Sequence, residues 1–346
     1  MKFGEKLENT EAYEPFKYEN QIRLDANESY IFLPEDIKFS VFKELTNIDF
    51  NRYPDPYAVK LCKAFADYYE IESKNVLAGN GSDELISIIM GSVLSKNSRV
   101  LITAPDFSMY KFYCGTGELD MTLIDKDNKS LNLNIDEIIR IANKNNIDFL
   151  ILSNPCNPTG IGISRAEIIK LISSCRCTVC IDEAYMDFWS ESVINFVDKY
   201  ENLIVLKTCS KNFGLAALRL GFVIAGEKLL NPIKKAKSPY NLNSLSQAAG
   251  TIILKHKDYL KKATIEIIKR KEELYNTLKK LERHDFTLLD TKTNFITIKT
   301  TMATDIYNFL LENNIIVRCL GNDLLRITTG SEDENKLLTA AIREAL

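Results

Sequence analysis

The stretch Ser153-Asn154-Pro155-Cys156-Asn157-Pro158-Thr159-Gly160 follows an apolar run at residues 149–152. Two Asn-Pro steps keep the chain out of helix and enforce an extended, turned loop. An apolar strand that stops in such a loop, with a helical pattern after it, is a unit of an α/β sheet. The alternation extends outward in both directions. Strand-like runs at 75–77, 99–102, 121–124, 149–152, 178–181, 203–206 and 222–225 are interspersed with helical patterns at 57–69, 84–94, 106–114, 135–143 and 165–174. Continuously apolar strands between helices predict a mostly parallel, seven-stranded sheet covered on both faces.

After Pro239 the character changes. A charged helical stretch spans 244–281, followed by a strand at 295–298, a helix at 304–312, strands at 315–318 and 324–328, and a helix at 332–346. That order predicts a smaller α+β domain. The first thirty-odd residues are polar and irregular, as in an arm. The expected division is an arm at 1–26, a large domain at 27–240 and a small domain at 241–346. No internal repeat or low-complexity tract is present.

Composition narrows the chemistry. The chain has 346 residues, 45% hydrophobic and 26% charged, with a net charge of -3. No basic stripe implies nucleic acid as a partner. The lysines at 234–237 and 261–271 lie among helix formers and read as solvated helix faces. Met1-Lys2-Phe3-Gly4-Glu5-Lys6 is too polar for a signal peptide, and no apolar run suggests a membrane span. A cytoplasmic location with eight reduced cysteines is therefore expected. Cys175, Cys177 and Cys180 sit where a helix gives way to a strand and read as buried; a redox pair is the alternative. Only two histidines, His256 and His284, are present. Acid–base work must lean on lysine, tyrosine or carboxylates.

Four segments carry candidate chemistry. In Thr208-Cys209-Ser210-Lys211-Asn212-Phe213-Gly214, a lysine follows an apolar strand. In a desolvated pocket such a lysine has a lowered pKa and can form a Schiff base. The hydroxyls of Thr208 and Ser210 and the cation of Arg219 suit a phosphate. Taken alone, Lys211 fits a surface loop equally well. Asp182, in Ile181-Asp182-Glu183-Ala184-Tyr185, ends an apolar strand, where open α/β sheets place ligand-binding groups. It can pair with a protonated pyridine nitrogen, with the Tyr185 phenol on a ring oxygen; a helix N-cap is the alternative. The loop 153–160 can aim the Asn157 amide at the same ring oxygen. Gly79-Asn80-Gly81-Ser82-Asp83-Glu84 is a strand–turn–helix junction whose free amides can hold a phosphate; an ordinary turn is the alternative.

Taken together in chain order, these segments resemble fold-type I pyridoxal 5'-phosphate (PLP) enzymes of the class I/II aminotransferase group. The closest likeness is to histidinol-phosphate aminotransferases. It covers essentially the whole chain, including Leu24-Asp25-Ala26-Asn27-Glu28, Asn51-Arg52-Tyr53-Pro54-Asp55-Pro56 and Arg326-Ile327-Thr328-Thr329-Gly330. The resemblance implies a transaminase acting on a small amino donor and a 2-oxo acid. Lys211 would be the Schiff-base lysine and then the base of the 1,3-proton shift. Asp182 would hold the pyridine nitrogen, Asn157 and Tyr185 the ring hydroxyl, and Phe107 would stack on the ring. Ser82, Asp83, Thr208, Ser210 and Arg219 would hold the cofactor phosphate. Tyr53 would reach the neighbouring subunit's phosphate, which implies a homodimer. Arg326, Arg318, Asn27 and Tyr13 would face the substrate.

The chain departs from the family pattern near the substrate. Ser29-Tyr30-Ile31-Phe32 stands where Asn-Pro-x-Gly is usual, and Tyr13-Glu14-Pro15-Phe16 has phenylalanine for glycine. Threonine-phosphate decarboxylase and other amino-acid or aromatic aminotransferases are the competing readings within the fold; the decarboxylase's His-Gly-Gly-Asn-like segment is not found. A non-catalytic PLP-binding regulator should have lost Lys211, Asp182 or Arg326, and none is lost. A generic nucleotide-binding protein would need a fuller Gly-x-Gly-x-x-Gly than residues 79–84 supply.

Overall fold

A computed structural model describes residues 21–346. Its strands, in chain order, are β1 (Ile22–Arg23), β2 (Val76–Asn80), β3 (Arg99–Ala104), β4 (Asp120–Asp125), β5 (Phe149–Ser153), β6 (Thr178–Asp182), β7 (Leu203–Thr208), β8 (Leu220–Ala225), β9 (Phe286–Leu288), β10 (Phe295–Thr300), β11 (Ile315–Ile316), β12 (Arg318–Leu320) and β13 (Leu324–Thr328). Seven form one sheet, in the order β2-β8-β7-β6-β5-β3-β4. Only β8 runs antiparallel to its neighbours; the pairs from β7 across to β4 are parallel. The mostly parallel α/β sheet expected from the apolar runs is therefore present.

The strands alternate in side-chain direction, and both directions are apolar. Leu101, Leu150, Leu152, Val179, Ile181 and Val205 pack into one core layer. Val100, Ile102, Ile151, Cys180, Ile204 and Leu206 pack into the layer on the opposite face. Each such side chain contributes about 1.5–3 kcal/mol on burial, so a helix must cover each face. Helix Arg165–Ser174 does so from a capping box in which Ser164 and Glu167 bond each other's backbone amides.

Register places the chemistry. Ser153 at the end of β5 is opposite Asp182 at the end of β6, and Asp182 is opposite Leu206 of β7. The carboxyl ends of three adjacent parallel strands thus carry the Asn-Pro loop, Asp182 and the approach to Lys211.

The rest of the chain departs from expectation in several places. The stretch 244–281 is two helices, Ser244–Ile253 and Lys257–Lys279, broken at 254–256. The run 315–318 divides between β11, which pairs with β1, and β12, which joins the four-stranded sheet β12-β13-β10-β9. Residues at the end of the expected arm are tied down: Leu24 donates to the Ile316 carbonyl, and Thr328 donates to the Leu24 carbonyl. Helix Glu35–Leu45 was not anticipated, because it buries only Ile37 and turns Phe39 and Phe42 outward. Two lysines expected on solvated faces are buried. Lys237 bonds the Pro56 carbonyl at 2.9 Å and Asn241 Oδ1 at 2.8 Å, and Lys271 bonds the Thr291 carbonyl at 3.0 Å. Cys175, Cys177 and Cys180 are buried, as expected of small apolar residues. No helix among the described residues is long and apolar enough to cross a membrane.

Candidate active site

Asp182 is buried at the end of β6. Its Oδ2 accepts from the Tyr110 hydroxyl at 2.7 Å and its Oδ1 from the Ala184 amide at 3.1 Å. Burial pushes its pKa up to about 6 against the pull of those two hydrogen bonds; Asp106 and Glu183 add to the rise. It makes no ion pair among the described residues. A buried carboxylate with donors but no counter-cation is half of a site.

Tyr185 is buried three residues on and packs edge-on against Phe295, with ring centroids 5.2 Å apart. Its hydroxyl accepts from Asn27 Nδ2 at 2.8 Å. Asn27 is fixed in turn: its amide donates to Thr328 Oγ1 at 2.9 Å, and its carbonyl accepts from Asn294 at 3.1 Å. Arg326, on β13, donates to Asn157 Oδ1 and to the Asp25 carbonyl, both at 2.6 Å, and lies 5.5 Å from the centroid of the Phe295 ring. Its Nε is buried and without a partner. Burial pulls its pKa down, and the nearby charge of Arg318 adds to this. Arg318 and Arg326 are Cα partners on β12 and β13, so both side chains leave the same face of the sheet. Arg318 is exposed.

The Lys211 ammonium donates to the Ala26 carbonyl at 2.8 Å. Burial is the main cause that lowers its pKa to about 8; Arg326 lowers it further, Glu28 opposes, and Arg219 adds to the fall. Residues 25–27 therefore touch Arg326, Lys211 and Tyr185 in succession. Lys207, four residues earlier, has the opposite environment. It is buried between Glu183 and Asp187, 3.3 Å from each, and these carboxylates outweigh burial and raise its pKa.

The glycine junction forms a cup. Helix Ser82–Ile88 begins after Gly81 with no side-chain cap. Gly81 has φ +88°, and a Cβ there would stand 2.5 Å from Arg219 Nη2. A Cβ on Gly221 would stand 2.1 Å from the Ser82 amide nitrogen. Both positions need glycine so that Arg219 and β8 can reach the helix start. Thr208 and Ser210 are buried, with Thr208 Oγ1 donating to Ser210 Oγ at 3.0 Å. Amides at a helix start, a guanidinium and two hydroxyls fit a phosphate. Together with Asp182, which lacks a cation, this donor set fits a phosphorylated pyridine with a protonated ring nitrogen.

Phe107 lies edge-on to Tyr110, with centroids 5.5 Å apart. Asp83 is engaged through its side chain, accepting from Tyr113 at 3.0 Å. Tyr53 is apart from this cluster: it is exposed and stacks on Tyr240 at 4.5 Å. Tyr13 lies outside the described residues. Two participants escaped the sequence reading. Tyr110 lies in the helical pattern 106–114, one turn after Phe107, and only the packing of its helix against the sheet brings it to Asp182. The Ala26 carbonyl has no side-chain signal at all.

A model of the family described as aminotransferase class I and II matches residues 19–342. The chain belongs to that family. This aminotransferase is 41% identical over 338 residues to a histidinol-phosphate aminotransferase of Clostridium kluyveri, covering 96% of this chain and 95% of the relative. It is 41% identical over 337 residues to one of Clostridium novyi, covering 96% and 94%. The crystal structure of histidinol-phosphate aminotransferase from Sinorhizobium meliloti in complex with pyridoxal-5'-phosphate superimposes with a TM-score of 0.86 at 21% identity, covering 94% of this aminotransferase and 90% of that chain.

Proposed function

We propose that this aminotransferase is a PLP enzyme that transfers the amino group of histidinol phosphate to 2-oxoglutarate. The observation that carries the reading is the proximity of three groups: the charge of Arg326 acts on both the Lys211 amine and the Tyr185 phenol, and the charge of Asp182 acts on that same phenol. Bound PLP supplies an aldehyde and an electron-poor ring that spreads the charge left at the donor's α carbon. The residues of this chain do the rest. Lys211 would hold the cofactor; once freed, its Nζ would take the α proton and hand it on in the 1,3 shift. A base that is close and desolvated does this without help from histidine. Asp182 keeps the ring nitrogen protonated, with Tyr110 and the Ala184 amide orienting its carboxylate. Tyr185 and Asn157 hold the ring oxygen, and Asn157 Oδ1 is already taken by Arg326. Phe107 would stack on the ring. The Ser82 and Asp83 amides, Thr208, Ser210 and Arg219 hold the phosphate.

Arg326 and Arg318 receive the substrate's charged end, with Asn27 bracing the wall through Tyr185. Two guanidiniums on one face of the sheet suit a phosphate dianion better than a single carboxylate. Arg318→Ala should therefore raise KM for histidinol phosphate about 10- to 100-fold, the worth of a hydrogen bond to a charged group. Turnover of an unphosphorylated donor such as phenylalanine should change little. The direct test is to compare histidinol phosphate, aromatic amino acids and threonine phosphate as donors with 2-oxoglutarate. Good turnover of another donor without histidinol phosphate turnover would retire the substrate, and carbon dioxide released from threonine phosphate would favour the decarboxylase.

The Lys211 amine must be neutral to attack the cofactor aldehyde. With its pKa lowered to about 8, the neutral fraction rises with pH up to that value and saturates above it. Capture of PLP by the cofactor-free enzyme should speed up about tenfold per pH unit below the lysine's pKa and then level off. A rate that climbs unchanged to pH ~10 would show an ordinary lysine.

Phe32, Phe39, Phe42, Phe50, Tyr53 and Tyr57 are exposed within one stretch of chain, and the exposed Tyr240 stacks on Tyr53. A patch of that kind supports a homodimer in which Tyr53 reaches the phosphate of the neighbouring site. The same reading divides the chain into the arm 1–26, the large domain 27–240 and the small domain 241–346, and puts the enzyme in the cytoplasm.

A further inference from the structure

Cys156 is set apart from the other cysteines by its neighbour. Its Sγ lies 3.0 Å from Lys126 Nζ, and the residues are only 3% and 5% exposed. The Lys126 ammonium also donates to the Pro105 carbonyl and lies 3.5 Å from Asp106 Oδ2, so it is held against the sulfur from two sides. Burial alone, or burial first, pushes up the thiols of Cys62, Cys114, Cys180 and Cys209, and Cys175 and Cys177 bond each other. The thiolate is the form of cysteine that reacts with oxidants, and Cys156 is the cysteine with a primary amine within bonding reach of its sulfur. Access is short: Asn157, the next residue, is partly exposed.

We propose that hydrogen peroxide drives a covalent crosslink between Cys156 and Lys126, a sulfur–nitrogen bond that ties the Asn157 loop to the end of β4. The chemistry balances with one peroxide. The thiolate attacks a peroxide oxygen; the S–O bond forms and the O–O bond breaks. The hydroxide released takes a proton from the Lys126 ammonium and leaves as water. The freed amine attacks the sulfur; the S–N bond forms, the S–O bond breaks, and a second water departs with the amine's proton. Sulfur gives up two electrons and peroxide accepts them. A dithiol reverses the step, becoming a disulfide and restoring thiol and amine. The link removes the cation beside Asp106 and draws on the loop whose Asn157 bonds Arg326 at 2.6 Å. Transamination should fall with it; this last consequence rests on the function proposed above.

The test treats the full chain with hydrogen peroxide and maps non-reduced peptides by mass spectrometry. The expected product joins the Lys126 and Cys156 peptides, lighter by two hydrogens, and dithiothreitol dissolves it. Cys156→Ser should give no link. Lys126→Arg keeps the cation but not the primary amine, so it should leave a sulfenic acid at Cys156 that dimedone traps. Cys156 untouched while the partly exposed Cys319 oxidises, or Cys156 driven to sulfinic acid beside a free Lys126, would overturn the proposal. The mass readout needs no turnover, so it stands or falls separately from the transaminase reading. In active enzyme, the activity lost should track the linked fraction and return with dithiothreitol.

Discussion

Lys211→Ala should lower kcat by about 10⁴-fold or more, because the proton-transferring base contributes up to that factor and its tether is lost as well. No neighbour can take its place. Lys207 is closest in sequence, but its ammonium is buried and clamped between Glu183 and Asp187. The only two histidines, His256 and His284, are remote in the chain. PLP should still bind, since the phosphate cup and Asp182 remain, but borohydride should no longer fix it to the protein. Single-turnover kinetics with the preformed complex separates loss of chemistry from loss of binding. A variant within tenfold of the parent would remove Lys211 from the reaction.

Asp182→Asn should reduce kcat/KM about 10²- to 10³-fold, the usual cost of removing one preorganised electrostatic partner. The sign of its effect on stability should be opposite. Burial raises the Asp182 pKa from 3.8 to about 6 in the cofactor-free chain. Its favourable contribution to folding is therefore complete below 3.8 and lost as pH rises through about 6. At neutral pH the cofactor-free protein holds a buried charge with no counter-cation among the described residues. The neutral asparagine removes that cost, so the cofactor-free variant should melt at the same temperature as the parent or higher. PLP should raise Tm less in the variant than in the parent, because the carboxylate–pyridinium pair is gone. Thermal melts with and without cofactor give both signs. A cofactor-free variant that melts lower, with PLP affinity unchanged, would assign Asp182 a structural role.

The two variants probe features that were unequally legible in the sequence. The apolar runs 149–152, 178–181 and 203–206 were enough for a parallel sheet, since strands buried on both faces must be apolar throughout. The loop 153–160, Asp182 and Lys211 stand at their carboxyl ends, and that position marks them as candidates for a site. The glycines at 79 and 81 likewise signalled a close approach, and the structure supplies the reasons: Leu85 packs against Gly79 and Arg219 against Gly81.

Long-range packing decided the remainder. The local sequence cannot show that Tyr110 reaches Asp182, 72 positions away, or that the carbonyls of Asp25 and Ala26 meet Arg326 and Lys211. Backbone acceptors have no side-chain signature. The lysines followed the same rule: Lys126, Lys207, Lys237 and Lys271 are buried, though lysine in a helical or loop pattern ordinarily signals solvent. Their partners come from distant segments, and those partners make burial tolerable. By itself the sequence determined the sheet and the positions at its strand ends, Lys211 among them. Only the tertiary structure decided the charge state around that residue, because desolvation and distant charges are properties of a folded neighbourhood.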